Sequence, residues 1–100
     1  MSEAAGTPTV THDESRHRFE IALDGERVGI AAYRDVDGRR HFTHTAVDPA
    51  YGGRGLAGTL VGHALAETRA AGLRIVPECS YVVVYLQRHQ EYADLTDSVT

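Results

Sequence analysis

Residues 51–58 read Tyr-Gly-Gly-Arg-Gly-Leu-Ala-Gly, a stretch half of which is glycine. Gly52, Gly53 and Gly55 let backbone amides approach an anion without side-chain obstruction. A helix opening just after them adds unpaired N–H groups and the positive end of its dipole. A phosphate or pyrophosphate suits such a loop, and Arg54 is placed to add charge-assisted contacts from the side. The competing reading is a flexible connection that binds nothing. Gly53–Gly58 also spells GxGxxG, and Glu78 follows 20 positions after Gly58. A dinucleotide site nevertheless fails on three counts. Five residues part the preceding strand from Gly53, that strand belongs to an antiparallel meander, and too little chain follows Glu78 for more parallel strands.

The single cysteine, Cys79, lies between a short strand closed by Pro77 and a segment with helical spacing from Ser80. A thiol at a helix N-terminus gains thiolate character from the free amides and the dipole, while Glu78 beside it pulls the other way. Such a thiol is a nucleophile, a polar pocket wall or simply a small buried hydrophobe. Ser80 lacks a GxSxG elbow, so no serine triad is indicated. Tyr81, Tyr85 and Tyr92 include candidate proton donors, although tyrosines at this spacing are also ordinary half-buried packing residues.

Six histidines raise the question of a metal. His41 and His44 have HxxH spacing, but on a regular strand positions i and i+3 point to opposite faces. With one cysteine and no dense cluster of ligands, no metal site is expected. All ten basic residues are arginine. The absence of lysine excludes Schiff-base and Walker-type mechanisms.

These residues need elements to position them. Residues 1–15 are small, polar and aperiodic, and are expected to form a mobile tail. From Arg18, Phe19, Ile21 and Leu23 alternate with polar or small residues as a strand, and Asp24-Gly25 is a turn signal. Arg27–Tyr33 and His41–Val47 give two further strands around Asp37-Gly38, so a three-stranded antiparallel meander is expected. Pro49 ends it. Leu56, Leu60, Val61, Ala64, Leu65 and Thr68 then form a helical stripe closed by Gly72. A short strand spans Leu73–Val76. Ser80–Leu95 is ambiguous: Val82-Val83-Val84 favours a strand, but the spacing favours a helix that frays after His89. The expected order is β-β-β-α-β-α, an α+β layer with helices against a mainly antiparallel sheet.

Length and composition bound the rest. One hundred residues make one domain, read as 16–96 between an N-terminal tail and a short one over 97–100. The 42% hydrophobic and 24% charged fractions suit a globular chain. A net charge of −4 with scattered arginines argues against a nucleic-acid partner. No apolar run reaches a membrane span, and no leader pattern opens the chain. A lone cysteine does not suggest an oxidising compartment, so a cytoplasmic location is expected.

His44-Thr45-Ala46-Val47, the glycine loop, the helix to Gly72 and Pro77-Glu78-Cys79-Ser80-Tyr81-Val82 together resemble the small stand-alone members of the GNAT acetyltransferase superfamily. The resemblance spans about Arg16 to Leu95. It implies a GNAT-like α+β fold and acetyl-coenzyme A as co-substrate, without a metal. By the same resemblance the pyrophosphate is held over Gly52, Gly53, Arg54, Gly55, Leu56, Ala57 and Gly58, and the pantetheine arm pairs with the strand carrying Thr45 and Val47. Gly52 stands where the family motif usually has Gln or Arg, which removes one side-chain contact. Cys79, His44 and Tyr81 are the candidate catalytic residues, with Cys79 across the cleft near the acetyl group. The implied activity is acetyl transfer to an unknown amine or peptide acceptor by a protein expected to be monomeric. The alternative is a CoA-binding or interaction module without turnover. Members of this size lack the N-terminal helices that usually help bind the acceptor.

Overall fold

The computed structural model describes residues 7–52 and 55–97. Five strands form one sheet in the order β1-β2-β3-β4-β5: β1 Pro8–Asp13, β2 Arg18–Leu23, β3 Glu26–Val36, β4 Arg39–Val47 and β5 Arg74–Pro77. The first four are antiparallel neighbours, and β5 joins β4 in parallel. That parallel pair requires a crossover, which α1, Leu56–Ala70, supplies. A second helix, α2, spans Ser80–Arg88, and a 3₁₀ segment follows over Gln90–Leu95. The helix expected from residue 80 therefore exists despite the valine run, and it changes form at His89.

The meander turns as its residues dictate. Asp24 and Gly25 have φ of 52° and 82°, and Asp37 and Gly38 have 53° and 77°. These paired left-handed conformations suit two-residue hairpins. Phe19, Ile21, Ala31, Tyr33 and Phe42 are buried on the inner face of the sheet. All six residues of the α1 stripe are buried too, and the apolar five join this core. Leu73 N–H donates to Thr68 O at 3.1 Å around Gly72, whose φ of 75° ends the helix.

Helix α2 lies beside α1 on the same face and runs the same way. Tyr81 and Tyr85 sit over Gly58 and Gly62, and further on the Arg69 guanidinium stands 4.4 Å from the centre of the Tyr92 ring. Val82 and Tyr92 complete the core.

The stretch before Arg16 differs from its expected tail. Residues 8–13 form an edge strand, and only 1–6 fall outside the described part. The strand offers Val10 alone as an apolar anchor. What holds it is polar: His12 stacks on Phe19 with centroids 4.1 Å apart, and its ring nitrogens reach Glu67 of α1 at 2.7 Å and Tyr33 Oη at 2.5 Å. At the other end Asp97 is likewise fixed. Its N–H donates to Ile75 O, and its carboxylate takes hydrogen bonds from Arg39 and Arg74. Those two guanidiniums lower its pKa to about 2.

Candidate active site

Between Ala32 and Tyr33 the β3–β4 register slips, because Ala32 faces His44 while Tyr33 faces Phe42. Thr43 is the extra residue, and such a bulge inverts the alternation beyond it. Phe42 points inward before the bulge. After it Thr45 and Val47 point inward, opposite Ala31 and Gly29. The bulge also turns the backbone. Asp48 N–H donates to Val28 O at 2.8 Å, so even-numbered residues face β3 here, and the backbone groups of Thr45 and Val47 face the β5 side.

On that side β5 has gone. Pairing between β4 and β5 ends at Phe42 with Pro77, and the last bond is Glu78 N–H to Phe42 O at 3.0 Å. Pro77 ends the strand, the chain turns into α2, and the two strands separate. This split exposes strand backbone that a ligand could pair with.

Cys79 stands at the split as the N-cap of α2. Burial pushes its thiol pKa up, but Thr45 and the backbone amides of Val82, Tyr81 and Thr45 outweigh this and hold it below the ordinary value. The Thr45 hydroxyl is itself buried without a hydrogen bond of usual geometry. Glu78, which sequence proximity set against the thiol, turns to the outer face and bonds His41 at 2.7 Å.

The N-terminus of α1 faces the same region. Gly55 is its N-cap with φ of 73°, and no side chain caps the helix. No acidic residue occupies the first turn, so the leading amides and the dipole are left for an outside anion. Leu56 is buried and anchors the turn, whereas Ala57 and Gly58 are half-buried. Gly52 is extended and exposed after a 3₁₀ turn over Pro49–Tyr51. Gly53 and Arg54 lie outside the described residues. A cleft of about 430 Å³ separates this end of α1 from α2, lined by Gly55, Gly58, Thr59, Tyr81, Tyr85 and Arg88 among others.

The structure thus brings Thr45 to Cys79, and Tyr81 to Gly55 and Gly58. It does not bring in His44, which the bulge directs to the outer face, where it is exposed. The same bulge overturns the expectation that His41 and His44 diverge: both point outward. No group of three or more potential ligands is placed to hold a metal among the described residues. Tyr85, one of the candidate proton donors, lines the cleft with Tyr81, and Arg88, for which the sequence carries no signal, lines it too. Tyr92, the third of those tyrosines, is buried in the core instead.

Residues 18–95 match the family described as GCN5-related N-acetyl-transferase. The chain belongs to that family. Among solved structures, a GCN5-like protein of Staphylococcus aureus, determined in solution by NMR, superposes with a TM-score of 0.70 at 24% identity. The match covers 92% of this chain and 90% of that one, and it shows a shared GNAT fold of helices on a mainly antiparallel sheet. No curated protein sequence matches significantly. No helix among the described residues is long and apolar enough to cross a membrane.

Proposed function

We propose that this chain takes an acetyl group from acetyl-CoA onto Cys79 and passes it to an amine. The observation that carries the reading is the environment of Cys79. Thr45 and backbone amides hold its thiol pKa below the ordinary value, and it sits where a strand pair opens, as the N-cap of α2, whose Tyr81 reaches the first turn of α1. The site's chemistry fits the co-substrate. Helix amides and Gly55 suit a pyrophosphate, Arg88 and Tyr85 line the adjoining cleft, and the Thr45 and Val47 backbone suits an amide-bearing arm. Acetyl-CoA supplies the activated thioester. Cys79 sulfur attacks the acetyl carbonyl, and the coenzyme leaves as a thiol. The amides that favour the Cys79 thiolate also keep it a competent leaving group when the amine attacks. Tyr81 borders the cleft and is a candidate for protonating a departing thiolate.

The test is intact mass after mixing with acetyl-CoA. One acetyl group should appear on the protein, be released by hydroxylamine and be absent from Cys79→Ala. A wild-type protein that binds CoA yet gains no acetyl and releases none to any amine would favour the binding-module reading. An alanine variant of full activity would remove Cys79 from the chemistry.

A further inference from the structure

The bulge at Thr43 also arranges the sheet's outer face. Arg34, His41 and His44 share that face, whereas both helices pack on the inner one. Core and helices thus cover the split from within, while on its outer side Arg34 and His44 are exposed and His41 keeps part of its surface open. Glu78, the first residue after β5, reaches over this face. Its carboxylate oxygen lies 2.7 Å from His41 Nδ1 and 3.5 Å from Arg34 Nη2. A carboxylate only accepts, so Nδ1 carries the hydrogen and Nε2 is left with its lone pair. No hydrogen bond occupies Nε2 among the described residues, and the His41 side chain keeps 18% of its surface exposed. Its Cα pairs with Val76, one step before β4 and β5 part. The other charges facing it are Arg34 across the strand, Arg39 two residues back and held by Asp97, and exposed His44.

A base oriented by a carboxylate, on the outer face one step before β4 and β5 part, with a thiol at the start of the helix that follows, is suited to receive a proton from an entering acceptor. We propose that His41, oriented by Glu78, is the base that deprotonates the acceptor amine as it enters from the outer face. The inference rests on the acetyl-transfer reading above. The entering ammonium gives one proton to His41 Nε2. The freed nitrogen attacks the acetyl carbonyl, the new C–N bond forms, and the C–S bond breaks with its electron pair on Cys79 sulfur. The second nitrogen-bound proton goes to that sulfur, and His41 returns its own to water. In this scheme His41 is a catalytic residue and Glu78 a positioning residue.

The experiment separates acylation from transfer. Wild type, His41→Gln and Glu78→Gln are mixed with acetyl-CoA, first alone and then with an alkylamine such as a lysine peptide, or with hydroxylamine, which is unprotonated at neutral pH. Acetyl loading of Cys79 should be unchanged in both variants. Transfer to the alkylamine should fall about 10²-fold in His41→Gln and less in Glu78→Gln. Hydroxylamine should react at close to the wild-type rate in both. The pH dependence of alkylamine transfer should flatten in His41→Gln, and raising the pH should restore part of the rate. Equal losses with both nucleophiles, or a loss of acetyl loading, would overturn the role of His41. A wild-type chain that never loads acetyl or never transfers it would show that the acetyl-transfer reading itself had failed, and the base would fall with it.

Discussion

Two polar clusters interrupt the apolar core, one near each end of α1, and they are built on opposite principles. At the Cys79 end, hydrogen-bonding groups are left over. The first turn of α1 has no side-chain cap, the Thr45 hydroxyl lacks a well-formed partner, and β4 has lost its neighbour. At the His12 end everything is matched. His12 joins Tyr33 to Glu67, Glu67 also takes His63, and Arg40 lies over the Tyr33 ring while bound to Asp35 through two hydrogen bonds. Buried polar groups are costly unless partnered. A satisfied network therefore contributes stability, and an unsatisfied one is free to bind. By that reasoning the two ends should respond to substitution in different observables.

The largest effect is expected at the open end. Gly55→Val puts a branched side chain at φ of 73° in the path of any anion on the helix amides. Nothing in the protein lies within 4 Å of the added Cβ, so the fold should lose only the roughly 1–2 kcal/mol of left-handed strain. Coenzyme affinity should drop by at least about 100-fold, equivalent to losing one or two charge-assisted hydrogen bonds. Calorimetric titration with CoA checks this. A variant that binds normally would mean that the loop amides are not the anion site.

The matched end should show the reverse. His12→Ala removes a ring stack and two hydrogen bonds and leaves Glu67 and Tyr33 with one partner fewer. A loss of about 2 kcal/mol follows, or on the order of 10 °C in Tm, with CoA affinity unchanged. Deleting residues 1–13 should cost at least as much, since it removes the whole strand. Acid adds a signature. Burial raises the Glu67 pKa, but hydrogen bonds with His12 and His63 outweigh it and leave the carboxyl below its ordinary value. A folded pKa below the unfolded one gives stability that is present above the unfolded value and lost as pH falls through the folded one. Glu67→Gln should therefore flatten the decline of Tm below about pH 4.5. An unaltered acid decline would show that Glu67 does not hold the edge strand.

The same contrast explains what could be read in advance. Alternating apolar residues and Asp-Gly turns gave β2 to β4, and the stripe from Leu56 to Thr68 gave α1 with its end at Gly72. Those signals are local, because each residue's neighbours in sequence share its environment. Strand β1 was illegible. Its stability comes from His12 meeting a glutamate 55 positions away, and a polar residue in a polar stretch gives no pattern. The bulge escaped for a related reason. Nothing in Phe42-Thr43-His44 marks an extra residue, yet it decides that Thr45 meets Cys79 while His41 and His44 share a face. Cys79 stands out in the sequence because a lone thiol before a helix is a chemical signal, and its place as the N-cap of α2 is the local part of that signal. The effect of Glu78 was misjudged because adjacency in sequence says little about direction once a strand has ended.

The smallest expected effect sharpens the comparison within α1 itself, at two glycines one turn apart. Gly58 belongs to the open end, and a Cβ there would stand 3.7 Å from Tyr81 Oη, an ordinary contact. Gly62 is closed over, since its Cβ would stand 2.7 Å from Tyr85 Oη. The phenol does not yield freely: the Tyr85 ring stacks on His89 at 3.8 Å. Replacing an interior helix glycine with alanine contributes up to about 1 kcal/mol through backbone entropy. Gly58→Ala should keep roughly half of that, being in the first turn, while its methyl group narrows the cleft and weakens CoA several-fold. Gly62→Ala must displace Tyr85, and the broken packing should offset the entropic gain or exceed it slightly. The two variants should thus differ by about 1 kcal/mol in stability, with Gly58→Ala the more stable protein and the poorer binder. Denaturant unfolding and CoA titration on the pair read both quantities. Equal stabilisation by the two would mean that Tyr85 does not clamp α2 against α1.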